Sequence, residues 1–109
     1  MGITPVDLYR AGNAAGPRMD HVRPNHDIVV VQRNGGDWVD PLCGGASTHE
    51  RKPWPHGTWW KIPKGTPFTD LLTVRNDHGT HWSWEPAQSM EFSEYVRLLV
   101  TLNGEFVRA

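Results

Sequence analysis

The hexapeptide Thr80-His-Trp-Ser-Trp-Glu85 decides the fold class, because polar and aromatic residues alternate along it. A period of two is typical of a β-strand with one buried face. The two tryptophans then share one face, and His81, Ser83 and Glu85 share the other. Each tryptophan ring buries a large apolar area, so this strand predicts a β-rich domain built around aromatic side chains.

Further strands are predicted on both sides of this hexapeptide, wherever residues alternate or a β-branched run occurs. Clusters of glycine, proline and asparagine predict the turns between them, including one at Asn76 to Gly79. The β-branched run Ile28 to Arg33 is predicted to be a central strand. The other predicted strands are Asp7 to Arg10, Asp37 to Asp40, Thr58 to Ile62 and Leu71 to Arg75.

One amphipathic helix is predicted near the C-terminus. Apolar residues recur at spacings of three and four from Glu91 to Leu102, and Asn103-Gly104 provides a stop. A chain of 109 residues leaves no room for a second independent core. We therefore expect an α+β fold, in which residues 1–109 form a compact single domain with two small, mainly antiparallel sheets and a C-terminal helix.

Charge and cysteine content exclude several classes of protein. Lys and Arg number 11 and Asp and Glu number 12, so the formal net charge is -1 and no basic field favours bulk nucleic acid or an anionic membrane. The single Cys43 allows no internal disulfide, which fits a reducing compartment. The N-terminus lacks the basic and long apolar regions of a Sec signal peptide. If the protein leaves its cell, we expect it to use a route that reads no cleavable signal peptide.

Six histidines raise the question of a metal site. Asp77, His78, His81 and Glu85 are close enough in sequence to surround one ion. On a single strand, however, His78 and His81 are separated by an odd number of residues and would point to opposite faces. Because no known zinc spacing is matched either, we predict that the chain holds no metal.

The tryptophan pairs predict both core and surface positions. At least one ring of Trp59-Trp60 and one ring of Trp82-Trp84 should lie in the core. Because neighbours on a strand point to opposite faces, one ring of Trp59-Trp60 is left for the other face, where an aromatic side chain can stack on a flat heterocycle. Trp60 is our candidate for that stacking position.

Three polar residues at or near strand ends form a chemically meaningful set. Arg10, Ser47 and Glu85 could each be structural if taken singly. Together they supply the groups that nicotinamide release from NAD requires. An arginine binds phosphate or ribose, a hydroxyl orients neighbouring groups, and a carboxylate holds a ribose hydroxyl while it stabilises the developing oxocarbenium.

Several motifs resemble the small ADP-ribosyltransferase toxins first described as effectors of the type VI secretion system. The resemblance extends over nearly the whole chain, and its strength lies in the joint order and spacing of the motifs. The motifs are Leu-Tyr-Arg-Ala (8–11), Val-Arg-Pro-x-x-Asp-Ile (22–28), Gly-Gly-Ala-Ser-Thr (44–48), Trp-Trp-Lys-Ile-Pro-Lys-Gly-Thr (59–66), Asn-Asp-His-Gly-x-His-Trp-Ser-Trp-Glu-Pro-Ala-x-x-Met (76–90) and Tyr-x-x-Leu-Leu (95–99).

This resemblance implies an NAD-dependent ADP-ribosyltransferase toxin that acts in the cytoplasm and is silenced by a cognate immunity protein or antitoxin. The site that it implies maps onto Arg10, Ser47 and the strand Thr80-His81-Trp82. We expect Arg10, Ser47, His81 and Glu85 to open into one cleft. The candidate catalytic residues are Arg10, Ser47 and Glu85, and the candidate NAD contacts are Tyr9, Arg10, Ser47, Trp60 and His81.

Three functions remain open at this point. The first is an enzyme that transfers ADP-ribose from NAD to an unidentified cytoplasmic acceptor, or that hydrolyses NAD. The second is a non-enzymatic binding toxin that retains the same fold. The third is a ribonuclease built on His78, His81 and Glu85, which is the weakest reading because the chain lacks a basic groove for RNA. Release of nicotinamide distinguishes the first from the other two.

Overall fold

A computed structural model describes the whole chain, residues 1–109. The chain forms eleven strands and one helix. In chain order these are β1 (Gly2–Ile3), β2 (Leu8–Gly12), β3 (Val31–Arg33), β4 (Gly36–Val39), β5 (Ala46–His49), β6 (Thr58–Ile62), β7 (Pro67–Phe68), β8 (Leu72–His78), β9 (His81–Pro86), β10 (Met90–Glu91), α1 (Phe92–Asn103) and β11 (Val107–Arg108).

The main sheet has six strands in the order β11-β6-β2-β5-β9-β8, and every pairing is antiparallel. It consists of two halves. β2 pairs with β6 over five residues, and β5 pairs with β9 over four residues. The halves are joined by the single pair Tyr9 and His49, so β2 and β5 separate on either side of that pair. This separation leaves a gap between β2 and β5.

The helix covers one face of the main sheet. The amphipathic helix predicted near the C-terminus is confirmed, since α1 buries Tyr95, Leu98, Leu99 and Leu102 and its last residue is followed by Gly104 as the C-cap. Trp84 is fully buried in the same core and packs edge-on against Phe68. At twelve residues, α1 falls short of the length that a membrane-spanning helix needs.

The expected α+β single domain with a C-terminal helix is confirmed, but the strands form three sheets and not two. A three-stranded sheet has the order β10-β4-β3, and β1 pairs separately with β7. Two-residue strands such as β1 and β7 are too short to show any alternation in the sequence. Their pairing depends on segments that lie far apart along the chain.

The prediction of a central strand at residues 28–33 is wrong. Only Val31–Arg33 forms a strand, and it lies at the edge of the three-stranded sheet. The Asn25 side chain accepts a hydrogen bond from the Val30 amide, which draws the preceding residues into a loop. Ile28 is buried in the core and Val30 packs against it partly buried, while Val29 is 51% exposed. The run therefore divides between a core contact and an edge strand.

The expected turn at residues 76–79 is also shorter than predicted. β8 continues to His78, and a β-bulge lies between Asn76 and His78. Asp77 is the extra residue of this bulge. The bulge reverses the alternation, so His78 lies directly opposite His81 of β9. Gly79, with a φ of 50°, and Thr80 form the connection between the two strands.

Candidate active site

The face of the main sheet opposite the helix carries the polar residues of the central strands, and we call it the polar face. Cross-strand pairing sets its layout. Ser47 of β5 lies opposite Ser83 of β9, and His49 lies opposite His81. Tyr9 of β2 pairs with His49 and extends that row. The polar face comprises Tyr9, Ser47, His49, His81, Ser83 and Glu85.

Hydroxyl groups on the polar face are left without partners in the protein. Ser83 is 1% exposed, yet its Oγ makes no hydrogen bond. Of Ser47, only the carbonyl oxygen takes part in a side-chain hydrogen bond. Gly45 permits close packing beside them, because a Cβ at Gly45 would lie 2.0 Å from the Trp84 oxygen and 3.0 Å from Ser83 Oγ. A buried hydroxyl without a partner is costly, so this pair is a natural position for a ligand.

Glu85 lies on the polar face but is covered. It is 1% exposed, and its carboxylate accepts hydrogen bonds from Arg75 Nε at 3.2 Å and Nη2 at 2.8 Å. The same contact raises the pKa of Arg75. The Leu42 amide donates to Glu85 Oε1 at 3.1 Å from the other side. Leu42 has a φ of 65°, in the left-handed region, and its side chain is 71% exposed.

Arg10 lies in the gap between β2 and β5 and is bound to backbone carbonyls. Its Nε donates to the Pro17 oxygen at 2.9 Å, and its two Nη atoms donate to the Ser47 and Arg18 oxygens at 2.8 and 2.9 Å. Burial lowers the pKa of the Arg10 guanidinium, and the nearby carboxylate of Asp27 opposes that effect. Three of its five N–H groups therefore hold the gap in its present shape.

The expectation that four predicted residues open into one cleft is wrong. Arg10 pairs with Trp60 and lies on the helix side of β2, whereas Tyr9, Ser47, His81 and Glu85 lie on the polar face. Trp60 also makes its contacts within the protein: its Nε1 donates to the Asn13 oxygen, and Arg108 lies 5.6 Å from the centroid of its ring. The structure thus unites four of the six candidate residues and separates Arg10 and Trp60 from them.

The remaining expectation about the tryptophans is confirmed in part. Trp59 is 2% exposed and packs on Trp54, with ring centroids 5.1 Å apart. Trp84 belongs to the main core, and Trp82 and Trp60 pack partly buried against it. One ring of each pair is therefore buried, as predicted. Stacking of Trp60 on a flat ligand remains a prediction, and Arg108 already covers that ring.

The reasoning against a metal site is wrong about geometry. His78 and His81 belong to two strands joined by a short connection, so the residues face each other and share a side. Their rings stack at a centroid distance of 4.7 Å and an angle of 13°. His81 Nδ1 lies 2.5 Å from Asp77 Oδ1. His49 packs edge-on against His81, and burial followed by the charge of His81 lowers the pKa of His49.

Three residues around the polar face were missed by the sequence reasoning, and a fourth, Asp77, was considered only as a possible metal ligand. Ser83 and His49 follow from alternation once the pairing of β5 with β9 is known, but nothing local reveals that pairing. Arg75 was assigned only to a strand, although its position directly opposite Ser83 places it beside Glu85. Asp77 was assigned to a turn, and only the bulge brings it to His81.

Three surface cavities lie elsewhere on the molecule. The two largest measure about 390 and 380 Å³. One is lined by residues of β10 and the start of α1, and the other lies beside the β1–β7 pair. None of the three is lined by a predicted site residue. The polar face therefore forms no cavity in this conformation: Ser83 and Glu85 are buried, and the side chains of Tyr9, Ser47, His49 and His81 are partly exposed.

Comparison with known proteins agrees with the resemblance that the motifs carry. No curated protein and no solved structure matches the chain. One family model, described as Tse2 ADP-ribosyltransferase toxin, matches residues 6–108. This match includes both halves of the main sheet, the polar face and the helix. The chain therefore belongs to the Tse2 ADP-ribosyltransferase toxin family.

Proposed function

We propose that this ADP-ribosyltransferase toxin binds NAD on the polar face and transfers ADP-ribose from there. The observation that carries the proposal is the cross-strand pair Ser47 and Ser83, whose two hydroxyls have no partners within the protein. Family membership supports the reaction type. The pair supports the location, because Ser47 is partly exposed and a ligand group that reaches Ser83 would supply the hydrogen bond that its buried hydroxyl lacks.

The chemistry of the polar face fits NAD. Ribose hydroxyls and the nicotinamide amide need both donors and acceptors, which the hydroxyls of Tyr9, Ser47 and Ser83 supply. The rings of Tyr9 and His81 offer flat surfaces for a heterocycle. Glu85 supplies the negative charge close to the same strands. We expect Tyr9, Ser47 and His81 to hold the nicotinamide ribose half of the molecule.

When bound, NAD supplies the ADP-ribosyl group and loses nicotinamide. In this scheme Ser47 orients a ribose hydroxyl, and Glu85 provides a carboxylate whose position is fixed by Arg75. Arg10 acts as a positioning residue, since its guanidinium fixes the Ser47 carbonyl at 2.8 Å and does not face the ligand. This role replaces the direct phosphate contact expected from the sequence.

We further propose the biological setting that the resemblance implies. The toxin acts in the cytoplasm of its target cell, is delivered as a type VI secretion effector, and is neutralised by a cognate immunity protein or antitoxin. Its acceptor is a macromolecule or a small molecule of that cell, and water is the acceptor if the enzyme hydrolyses NAD. A non-enzymatic toxin with the same fold is the alternative.

The test is nicotinamide release from NAD by the purified chain, measured together with NAD binding. We expect Ser47→Ala to reduce release at least about 10-fold with an unchanged urea midpoint, because its hydroxyl makes no internal hydrogen bond. Ser93→Ala is the matched control, since Ser93 is exposed in the first turn of α1. Wild-type protein that binds no NAD and releases no nicotinamide would establish the non-enzymatic alternative.

A further inference from the structure

The hairpin of β8 and β9 brings three potential metal ligands together outside the proposed NAD-binding hydroxyls. One ligand atom from each of Asp77, His78 and His81 lies within 4.8 Å of the others. Asp77 Oδ1 is the centre of the group, at 2.5 Å from His81 Nδ1 and 3.5 Å from His78 Nδ1. The carboxylate contacts both rings, and the β-bulge at Asp77 creates this arrangement.

The two distances from Asp77 can be compared with those of a tetrahedral site. Zinc binds histidine nitrogen and carboxylate oxygen at about 2.0–2.2 Å, so neighbouring ligand atoms lie about 3.3 Å apart. The Asp77–His78 separation already has that value within about 0.2 Å. The Asp77–His81 separation must widen by about 0.8 Å, which a side-chain rotation can provide. The side chain of His78 is 75% exposed and free to adjust.

We propose that Asp77, His78 and His81 bind one divalent transition metal ion of the zinc class. Two imidazoles and one carboxylate are a common three-ligand set for Zn²⁺, and the exposed side of His78 leaves the fourth position for water. All three ligands belong to the hairpin, and His81 is also one of the NAD contacts proposed above, so the two sites adjoin. It ties β8 to β9 at their connection.

The side chains of the hairpin lie in contact with one another. The rings of His49, His78 and His81 are in contact, and Asp77 is the one carboxylate that touches them.

The test uses the full chain without a polyhistidine tag and follows binding of ZnCl₂ by titration calorimetry. Co²⁺ serves as a spectroscopic probe, because a tetrahedral site gives a strong visible absorption. We expect one equivalent of Zn²⁺ to bind and His78→Ala to weaken it at least about 10-fold. His26→Ala is the matched control, since His26 is exposed in a loop remote from β8 and β9.

Two outcomes would overturn the proposal. One is the absence of Zn²⁺ binding by the wild-type chain, and the other is equal binding by wild type and His78→Ala. Asp77→Asn provides a second variant that preserves the size of the side chain and should also weaken binding. Circular dichroism of each variant verifies that the exposed hairpin substitutions leave the fold intact.

Discussion

Replacing Tyr95 with phenylalanine tests how the helix is attached to the sheet. The Tyr95 hydroxyl is fully buried, donates to the Trp84 oxygen at 2.6 Å and accepts from the Ala46 amide at 3.1 Å. Burial raises its pKa well above the usual value, so the hydroxyl remains a donor over the whole physiological range. Tyr95→Phe leaves the ring in place and removes both hydrogen bonds.

The expected cost follows from the two backbone groups that lose their partner. Each buried group left unsatisfied costs about 1–3 kcal/mol, so Tyr95→Phe should lower the free energy of unfolding by about 2–6 kcal/mol. That is a large share of the roughly 5–15 kcal/mol that stabilises an ordinary domain. For a chain of this length, it corresponds to a fall in Tm on the order of 10–20 °C.

Urea unfolding followed by tryptophan fluorescence measures this change. The chain contains only two tyrosines, and the other provides the control. The Tyr9 hydroxyl has no hydrogen-bond partner in the protein, so Tyr9→Phe should alter stability by no more than about 0.5 kcal/mol. If Tyr95→Phe is destabilised as little as Tyr9→Phe, the hydroxyl does not join α1 to β5 and β9 as described.

Three further predictions concern other parts of the molecule. Glu85→Gln should reduce nicotinamide release at least about 100-fold with little change in NAD affinity. The same variant should lower the free energy of unfolding by about 1–3 kcal/mol, because it loses the ion pair with Arg75. Unchanged turnover would show that Glu85 takes no part in the reaction. Hydrogen bonds from Arg33 and Ser89 lower the pKa of Asp40 to about 2, so its contribution is present above its unfolded pKa of about 3.9 and is lost as the pH falls through 2. Urea midpoints at pH 5 and pH 2.5 should therefore differ less in Asp40→Asn than in wild type, and an equal difference would contradict this assignment. Gly45→Ala should destabilise the fold by at least about 2 kcal/mol, because the added Cβ would lie 2.0 Å from a backbone oxygen. Gly104→Ala is the control and should be nearly neutral, because no atom lies closer than 4.0 Å to the added Cβ. Thermal unfolding of the two variants measures the difference.

Local patterns in the sequence predicted individual elements better than their arrangement. The strand Thr58–Ile62 has the predicted bounds, and the helix differs by one residue at each end, because both depend on a repeat that is complete within the segment. The prediction of a strand at residues 28–33 failed because the Val30 amide donates a hydrogen bond to the side chain of Asn25, which lies outside the run. The β-branched composition of the run does not reveal that a side-chain hydrogen bond replaces strand pairing at Val30.

The candidate site was less accessible to sequence reasoning for a related reason. Ser47 and Glu85 were identified from residue type, but their partners depend on the placement of β5 between β2 and β9. Arg10 was assigned to a ligand because arginine commonly binds phosphate, whereas here it binds three carbonyls that come from two separate segments. Ser83 carries no signal in the sequence beyond its position in the alternating strand.

Leu42, whose amide donates a hydrogen bond to Glu85, has a strained backbone conformation. A leucine with a positive φ stores about 1–2 kcal/mol that a glycine at the same position would not. This energy corresponds to a factor of about 5–30 in an equilibrium constant. A ligand or partner that returns Leu42 to a negative φ recovers that factor as affinity, and the same movement takes the amide away from the carboxylate beneath it.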